Sequence, residues 1–415
     1  MGLLLALFFV GNLDVQIISP ILPLFEADFG VSTILAGMVV TSYAISGAIW
    51  ALIIGPLSDR FGRIVFLRAA AVCFAIAAAT AFFAAEFQFY IIARILAGLA
   101  GGTFSTCIIA LIADIFPYEK RGRAMGLVGA IYSLAAVVGV PLGAIVASNY
   151  GWRPIYIFLG GTALLIALFL KRNIRIKPPE SVRSADDQKM SESNRNGRLV
   201  QAVKGQILDY GRFWVNRKTR NGLLLAFAVS STSTSLMTFL GKWLSADFGL
   251  TGGSLALVFL AAGVSTVIGS LLGGFLSDKI GKKQLILVAS LLIVAIMSTT
   301  SFIGSYTGVV AFCIGGGLAI ALREGPYQAL ITELVASRER GAYIAVRSTA
   351  AKLAIAGAAA FSGLLFELSG YAAVTAFSGA CSLWAAYLVR FAIQPVAAAK
   401  DSTPVGDEIA VENNA

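Results

Sequence analysis

The sequence contains no histidine, only four cysteines, and a charged fraction of just 13%. Each shortage excludes something. Without histidine there is no imidazole proton relay and no His-ligated metal, so any proton carrier has to be Asp or Glu. Cys73, Cys107, Cys313 and Cys381 all lie inside apolar stretches, which argues against disulfides and against a metal centre. Soluble domains carry about 25% charged residues. Here apolar residues take that place, at 58% of the chain with a mean hydropathy of +0.82. So much apolar surface is stable only in a lipid bilayer. The net charge of +10 does not point to nucleic acid, because the basic residues fall in short segments between apolar runs, where they orient helices in a membrane. No nucleophile, base and orienting residue form a constellation, so no enzyme and no cofactor is expected.

A spanning helix needs about 20 mostly apolar residues. The chain offers twelve such spans, at 2–25, 33–57, 66–85, 88–114, 123–149 and 153–170, then 220–243, 252–276, 284–303, 308–334, 342–367 and 371–394. The first lacks a basic leading segment and carries Asp14 at its middle, so it reads as a span and not as a signal peptide. The expected fold is an all-α membrane protein: a six-helix bundle over 1–170, a cytoplasmic linker over 171–219, a second six-helix bundle over 220–394 and a disordered tail over 395–415. The linker holds Lys171, Arg172, Arg175, Lys177, Pro178 and Pro179, then a Ser/Asn/Asp-rich run, with a short surface helix around Leu199–Trp214. The loops after spans 2, 4, 8 and 10 carry Arg60, Arg63, Arg68, Lys120, Arg121, Arg123, Lys279, Lys282, Lys283, Arg338 and Arg340. The opposite loops carry only Arg153 and Lys242. The positive-inside rule therefore puts both termini and the linker in the cytoplasm.

One offset, 219 residues, superposes the two halves without a gap. Asp28-Phe29-Gly30 recurs as Asp247-Phe248-Gly249, and Gly55–Arg63 recurs as Gly274–Lys282. Gly98 matches Gly317, Asp114 matches Glu333, Arg121-Gly122 matches Arg340-Gly341, and Gly151 matches Gly370. An even number of spans separates equivalent points, so the halves are parallel, and a solute site belongs at their interface near mid-membrane.

The segment from Gly55 through Leu57, Asp59, Arg60, Gly62 and Arg63 to Leu67 resembles the loop G-x-L-x-D-R-x-G-R-x-x-x-L between helices 2 and 3 of the major facilitator superfamily. Gly55 and Gly62 suit close helix packing and a tight turn. Asp59 can accept hydrogen bonds at a helix N-terminus or pair with Arg121 or Arg123. With the second copy at Gly274, Asp278 and Gly281, these residues read as the conformational gate. Gly139-Val140-Pro141-Leu142-Gly143, with Gly151-Trp152-Arg153, resembles the antiporter motif of twelve-helix drug and metabolite:proton antiporters found among bacterial exporters. Gly139, Pro141 and Gly143 would bend span 5 and let it slide on its partner in the other half. Arg94 with Gly98, Gly101 and Gly102 resembles the family's helix-4 motif, whose Arg is implicated in proton coupling, although Ala97 stands where the family has Gln.

Charges inside the membrane are costly, about 2.5–3.5 kcal/mol each on insertion scales, and those present usually face a cavity. Asp14 lies halfway along span 1, beside Asn12 and Gln16. Its repeat mate is Ser233, within the Ser/Thr run 230–235 of span 7, so the two spans should face each other across a cavity. Asp14 is either a proton carrier or a fixed partner of Arg94. Span 10 holds Arg323-Glu324-Gly325-Pro326; adjacent residues point about 100° apart, so one lines the cavity while the other pairs with Lys352 or Arg347 of span 11. Glu324 reads as a second acid and Arg323 as an anion contact. Phe25, Tyr43, Tyr132, Tyr156, Phe239, Trp243, Tyr327 and Trp384 include possible cavity walls.

The resemblance implies a bacterial inner-membrane secondary transporter that exports a small organic molecule in exchange for protons, acting as a monomer in the lipid bilayer. A proton-coupled symporter or facilitator for an organic anion, held by Arg94, Arg323 and Lys352, and a lipid flippase are the alternatives. The orientation is directly testable. Alkaline phosphatase inserted after Arg175 should be inactive in an Escherichia-type host, and green fluorescent protein fused after Ala415 should fluoresce.

Overall fold

The computed structural model describes residues 2–115, 127–170, 211–335 and 339–393, without the side chains at 56, 59, 60, 113, 114, 340 and 341. Arg121, the linker residues 171–210 and the tail from 394 lie outside the described residues, as do the side chains of Asp59 and Arg60. All described elements are helical. Hydrocarbon offers no water to backbone N–H and C=O groups, so an open chain crosses it only as helix.

The spans are α1 (Gly2–Gln16 and Ile18–Phe29, bent by 52°), α2 (Thr33–Phe61), α3 (Arg63–Phe82), α4 (Phe87–Ile115), α5 (Leu127–Tyr150) and α6 (Arg153–Phe169). They continue as α7 (Arg217–Phe248), α8 (Gly252–Ile280), α9 (Lys282–Ser298) and α10 (Tyr306–Thr332). A final run, Arg340–Tyr387, breaks at Ser369–Gly370 into α11 and α12. The bend in α1 has a simple cause: Pro20 and Pro23 have no N–H, which frees the carbonyls of Gln16 and Ser19. The linker ends earlier than its polar composition suggests. Phe213 is buried, stacks near Tyr343 at 5.3 Å, and its carbonyl accepts from Thr219 Oγ1 at 2.6 Å.

The repeat is visible in three dimensions. Glycines with positive φ occur in pairs 219 residues apart: Gly30 and Gly249 at 60° and 64°, Gly62 and Gly281 at 97° and 89°, Gly151 and Gly370 at 80° and 73°. Each ends a helix where an L side chain would be strained. Packing repeats too: α2 on α4, α3 on α4 and α3 on α6 correspond to α8 on α10, α9 on α10 and α9 on α12. The peripheral helices show lipid-facing residues such as Ile76, Phe158, Val288 and Tyr387.

We call the ends bearing the basic loops inner and the opposite ends outer. The described contacts that cross between the halves run from mid-membrane to the outer end. α2 packs along α11, α5 along α8 and α1 along α7. Thr41 Oγ1 donates to the Ala356 carbonyl at 2.9 Å, the Ile34 amide to Glu367 at 3.2 Å, and the Gly241 amide to Ser19 Oγ at 3.1 Å. Lys242 pairs with Glu26 at 2.5 Å and also donates to Thr33. Close approach is by backbone. A Cβ on Gly241 would lie 2.2 Å from the Ser19 oxygen, one on Gly37 would lie 2.9 Å from the Ala359 oxygen, and one on Gly263 would lie 2.9 Å from Val137 Cα. The chain is thus closed on its outer side.

One sequence expectation changes here. Gly55 does not mediate close packing, since no described atom of a neighbouring element lies within 4 Å of a Cβ built on it, and the same is true of its mate Gly274. They sit at the inner end, where the described contacts between halves are absent. Gly62 and Gly281 do make the expected turns, each amide bonding back to Ser58 or Ser277 at 3.0 and 3.1 Å. If the Gly241 approach closes the outer side, Gly241→Val must hold it open. A cysteine at Thr41 should then react faster with an impermeant maleimide applied from outside than it does with Gly241 intact. Equal rates would show that the approach is not needed for closure.

Candidate functional site

Among the described residues, the fully buried charge of the N-terminal half is held by one ion pair. Arg94 Nη1 donates to both oxygens of Asp14, at 2.8 and 2.9 Å, and the two side chains are 2% and 1% exposed. The pair joins α4 to α1 one turn before the α1 bend. Its surroundings are tight: the Arg94 guanidinium lies 4.8 Å from the Tyr43 ring, and Phe74, Ala78, Ala97 and Tyr156 border the small void beside it. The Tyr156 hydroxyl meets that of Tyr90 at 2.5 Å. Glycines make this closeness possible. A Cβ on Gly98 would lie 2.1 Å from Ser46 Oγ and one on Gly101 2.0 Å from the Tyr43 hydroxyl, so α4 rides directly on α2.

The Gly/Pro motif of α5 points differently from the sequence expectation. A Cβ on Gly139 would lie 2.6 Å from Leu13, and one on Gly143 1.7 Å from Ile17. Both glycines, four residues apart and on one helical face, therefore pack on α1 within their own half, on either side of Asp14. Gly263 of α8 meets α5 one turn earlier, at the Ala136 carbonyl and Val137. The small residue at the contact between halves belongs to the partner. A π-helical turn at Ala135–Gly139 precedes Pro141, which cannot donate to the carbonyl four residues back.

The C-terminal half is organised otherwise. Arg323 is 0% exposed; its guanidinium donates to Ser382 Oγ at 3.2 Å and, at 3.4 Å, to the Val229 carbonyl, tying α10 to α12 and α7. It is sealed inside that half and is not placed as an anion contact facing the gap. Glu324 accepts from Gln328 at 2.8 Å, and Gln328 in turn accepts from Arg347 at 2.5 Å. Neither Arg323 nor Glu324 pairs with Lys352. Instead Lys352 reaches from α11 across to the N-terminal half, donating to the Gly47 carbonyl at 3.2 Å and to Ser105 Oγ at 3.5 Å. Arg94, Arg323 and Lys352 thus do not converge. Ser233 bonds within its own helix, to the Val229 carbonyl at 3.3 Å, while Asp14 is committed to α4. The facing polar patches expected of α1 and α7 are replaced by the Ser19–Gly241 contact farther out.

Comparison with known proteins follows from this geometry. The Major Facilitator Superfamily family model matches residues 4–241 and 222–411. The chain belongs to the major facilitator superfamily. It is therefore a multi-pass membrane transporter and not an enzyme. An uncharacterised Bacillus subtilis transporter of this type, YceJ, is 26% identical over 91% of this chain and 92% of its own. Multidrug resistance protein 2 of the same organism is 24% identical over 88% of each. Among solved structures, a D-xylose–proton symporter superposes with a TM-score of 0.75 at 19% identity, covering 95% of this chain and 97% of its own.

Within the superfamily fold, several functional contacts had no signal in the sequence. Lys242–Glu26 joins α7 to α1 at the outer side, but each residue reads alone as an end-of-helix charge. Tyr132 is 54% exposed near the start of α5, and its carbonyl accepts from Gln16 at 3.3 Å, which ties α5 to α1. Lys282 pairs with Glu333 at the inner end of the second half. The repeat did hint at that pair, since Glu333 is the mate of Asp114 and Lys282 the mate of Arg63. Asp278 is exposed with no partner among the described residues. Of the aromatic residues named, Phe25, Tyr156, Phe239, Trp243 and Tyr327 are core, while Trp384 is partly exposed beside Phe227.

The buried pair gives a stability prediction. Removing one partner of such a pair costs about 3–5 kcal/mol, whereas removing both together is far milder. Asp14→Ala and Arg94→Ala should each lower the unfolding temperature in detergent markedly, and the double variant should recover most of the loss. Additive losses would mean that the two side chains act independently.

Proposed function

We propose that the chain is a proton-coupled exporter of a small organic molecule, with Asp14 as the proton site and Arg94 as its counter-ion. The observation that carries this is the sealed Asp14–Arg94 pair, wedged between α2 and α5, which both also touch the other half. With the outer side closed, Asp14 is out of contact with water and its charge is matched. When the outer side opens, α1 loses its contact with Gly241 and its bend relaxes, which gives outside protons a route to Asp14. Protonation removes the match, leaves Arg94 as an uncompensated cation, and makes the old packing costly. Return of the outer closure then favours loss of the proton inward and re-formation of the pair. Substrate moves in the opposite sense because proton and solute compete for the state that opens outward, so each lowers the other's affinity. Export is favoured over uptake by the antiporter-like motif at Gly139–Gly143 and by the multidrug resistance proteins among the relatives. The chain carries both halves of the site, which suits a monomer in the bacterial inner membrane with its termini in the cytoplasm.

The test uses purified protein in proteoliposomes holding a pH-sensitive dye. With a proton gradient imposed, drugs and metabolites loaded inside should leave as protons enter. Asp14→Asn should abolish this coupled flux while still allowing exchange of labelled solute at equal concentrations. Solute and protons entering together would reverse the direction, and unaltered coupling in Asp14→Asn would remove Asp14 from the mechanism.

A further inference from the structure

Among the described residues, the middle of the membrane holds two acids, Asp14 and Glu324, and four cations, Arg94, Arg323, Arg347 and Lys352. Asp14 is matched by Arg94, and Glu324 is joined through Gln328 to Arg347. Arg323 is sealed in the C-terminal half among hydroxyl and carbonyl oxygens. That leaves Lys352, a partly buried ammonium with no carboxylate partner, placed where α11 meets α2 and α4 across the boundary between halves.

Its present contacts satisfy it poorly. An ammonium has three donors; here one is spent on the Gly47 carbonyl at 3.2 Å and one on Ser105 Oγ at 3.5 Å, the outer limit of a hydrogen bond. Ser105 Oγ is itself already donating to the Gly102 carbonyl at 3.1 Å. The tight neighbour of Gly47 is the Gly98 carbonyl, 2.9 Å from a Cβ built there, while Lys352 Nζ would stand 3.7 Å away, in ordinary contact. A cation at this depth costs about 2.5–3.5 kcal/mol unless compensated, and among the described residues no carboxylate pairs with this one.

We propose that Lys352 is the anchor for the substrate's own negative charge, and that the substrate class is small organic monoanions carrying a carboxylate. This rests on the transport reading but not on its direction or on Asp14. One negative charge suffices to balance the site. A single ammonium suits one carboxylate, a point charge for a monoanion. A carboxylate on Nζ replaces the weak Gly47 and Ser105 contacts, so binding loosens a tie between the halves at the same step that neutralises the site.

The experiment is equilibrium binding to the full-length protein in nanodiscs, without any gradient. The probes are charge-matched sets of similar shape: benzoate, benzamide and benzamidine; glucuronate, glucose and glucosamine; hexanoate, hexanamide and hexylamine. At least one carboxylate should bind in preference to both its mates. Lys352→Met should weaken it by at least about tenfold, and Lys352→Arg should restore part of the affinity. Lys352→Met removes an unmatched buried cation, so its unfolding temperature should equal or exceed the parent's, which separates lost binding from lost folding. If no carboxylate is preferred over its mates, or if the preference survives in Lys352→Met, the proposal fails. Asp14→Asn in the proteoliposome assay keeps the two readings apart: carboxylate preference in nanodiscs with no proton coupling in vesicles overturns only the proton site, and the converse overturns only the anchor.

Discussion

Hydrocarbon solvates neither peptide groups nor charges, and nearly every feature of this chain is a response to that constraint. Peptide groups are satisfied by helix, and where Pro20 and Pro23 remove donors α1 bends. At that bend the Gly241 amide of α7 donates to Ser19 Oγ and the two backbones come close. Charges are satisfied by each other where possible. Asp14 with Arg94, and Lys242 with Glu26, show two versions of the same solution, one sealed inside a half and one bridging the two halves.

Without a hydrophobic driving force between helices in lipid, contact has to come from dispersion and from backbone approach. That explains why glycine marks the important junctions: Gly98 and Gly101 between α4 and α2, Gly139 and Gly143 between α5 and α1, Gly241, Gly37 and Gly263 between halves. The first two groups are rigid contacts within a half and hold the ion pair in place. The last group lies between the halves, so the outer closure rests on backbone approach.

The pattern of spans was readable because apolar length and the 219-residue repeat are one-dimensional signals. Even the broken first helix and the turns at Gly62, Gly151 and their mates were marked by proline and glycine. Pairing was harder. Asp14 and Arg94 are both conspicuous as charges in apolar runs, yet only the packing of α4 on α1 decides that they meet. The orientation of Gly139 and Gly143 was misjudged because a helix has several faces, and spacing alone does not say which neighbour each face meets. Arg323 and Lys352 looked equivalent in the sequence; one turned into the interior of its half, the other toward the boundary, a difference of rotation about a helix axis.

The unmatched ammonium of Lys352 has an electrical side. A charge carried across the membrane exchanges about 2.3 kcal/mol with every 100 mV of potential. The Asp14–Arg94 pair is neutral and feels little of this, and so is Lys352 when an anion rides on it. On the anchor proposed for Lys352, the carrier without its anion bears one positive charge more than the carrier with it, so membrane voltage biases the side on which the anion-free protein waits.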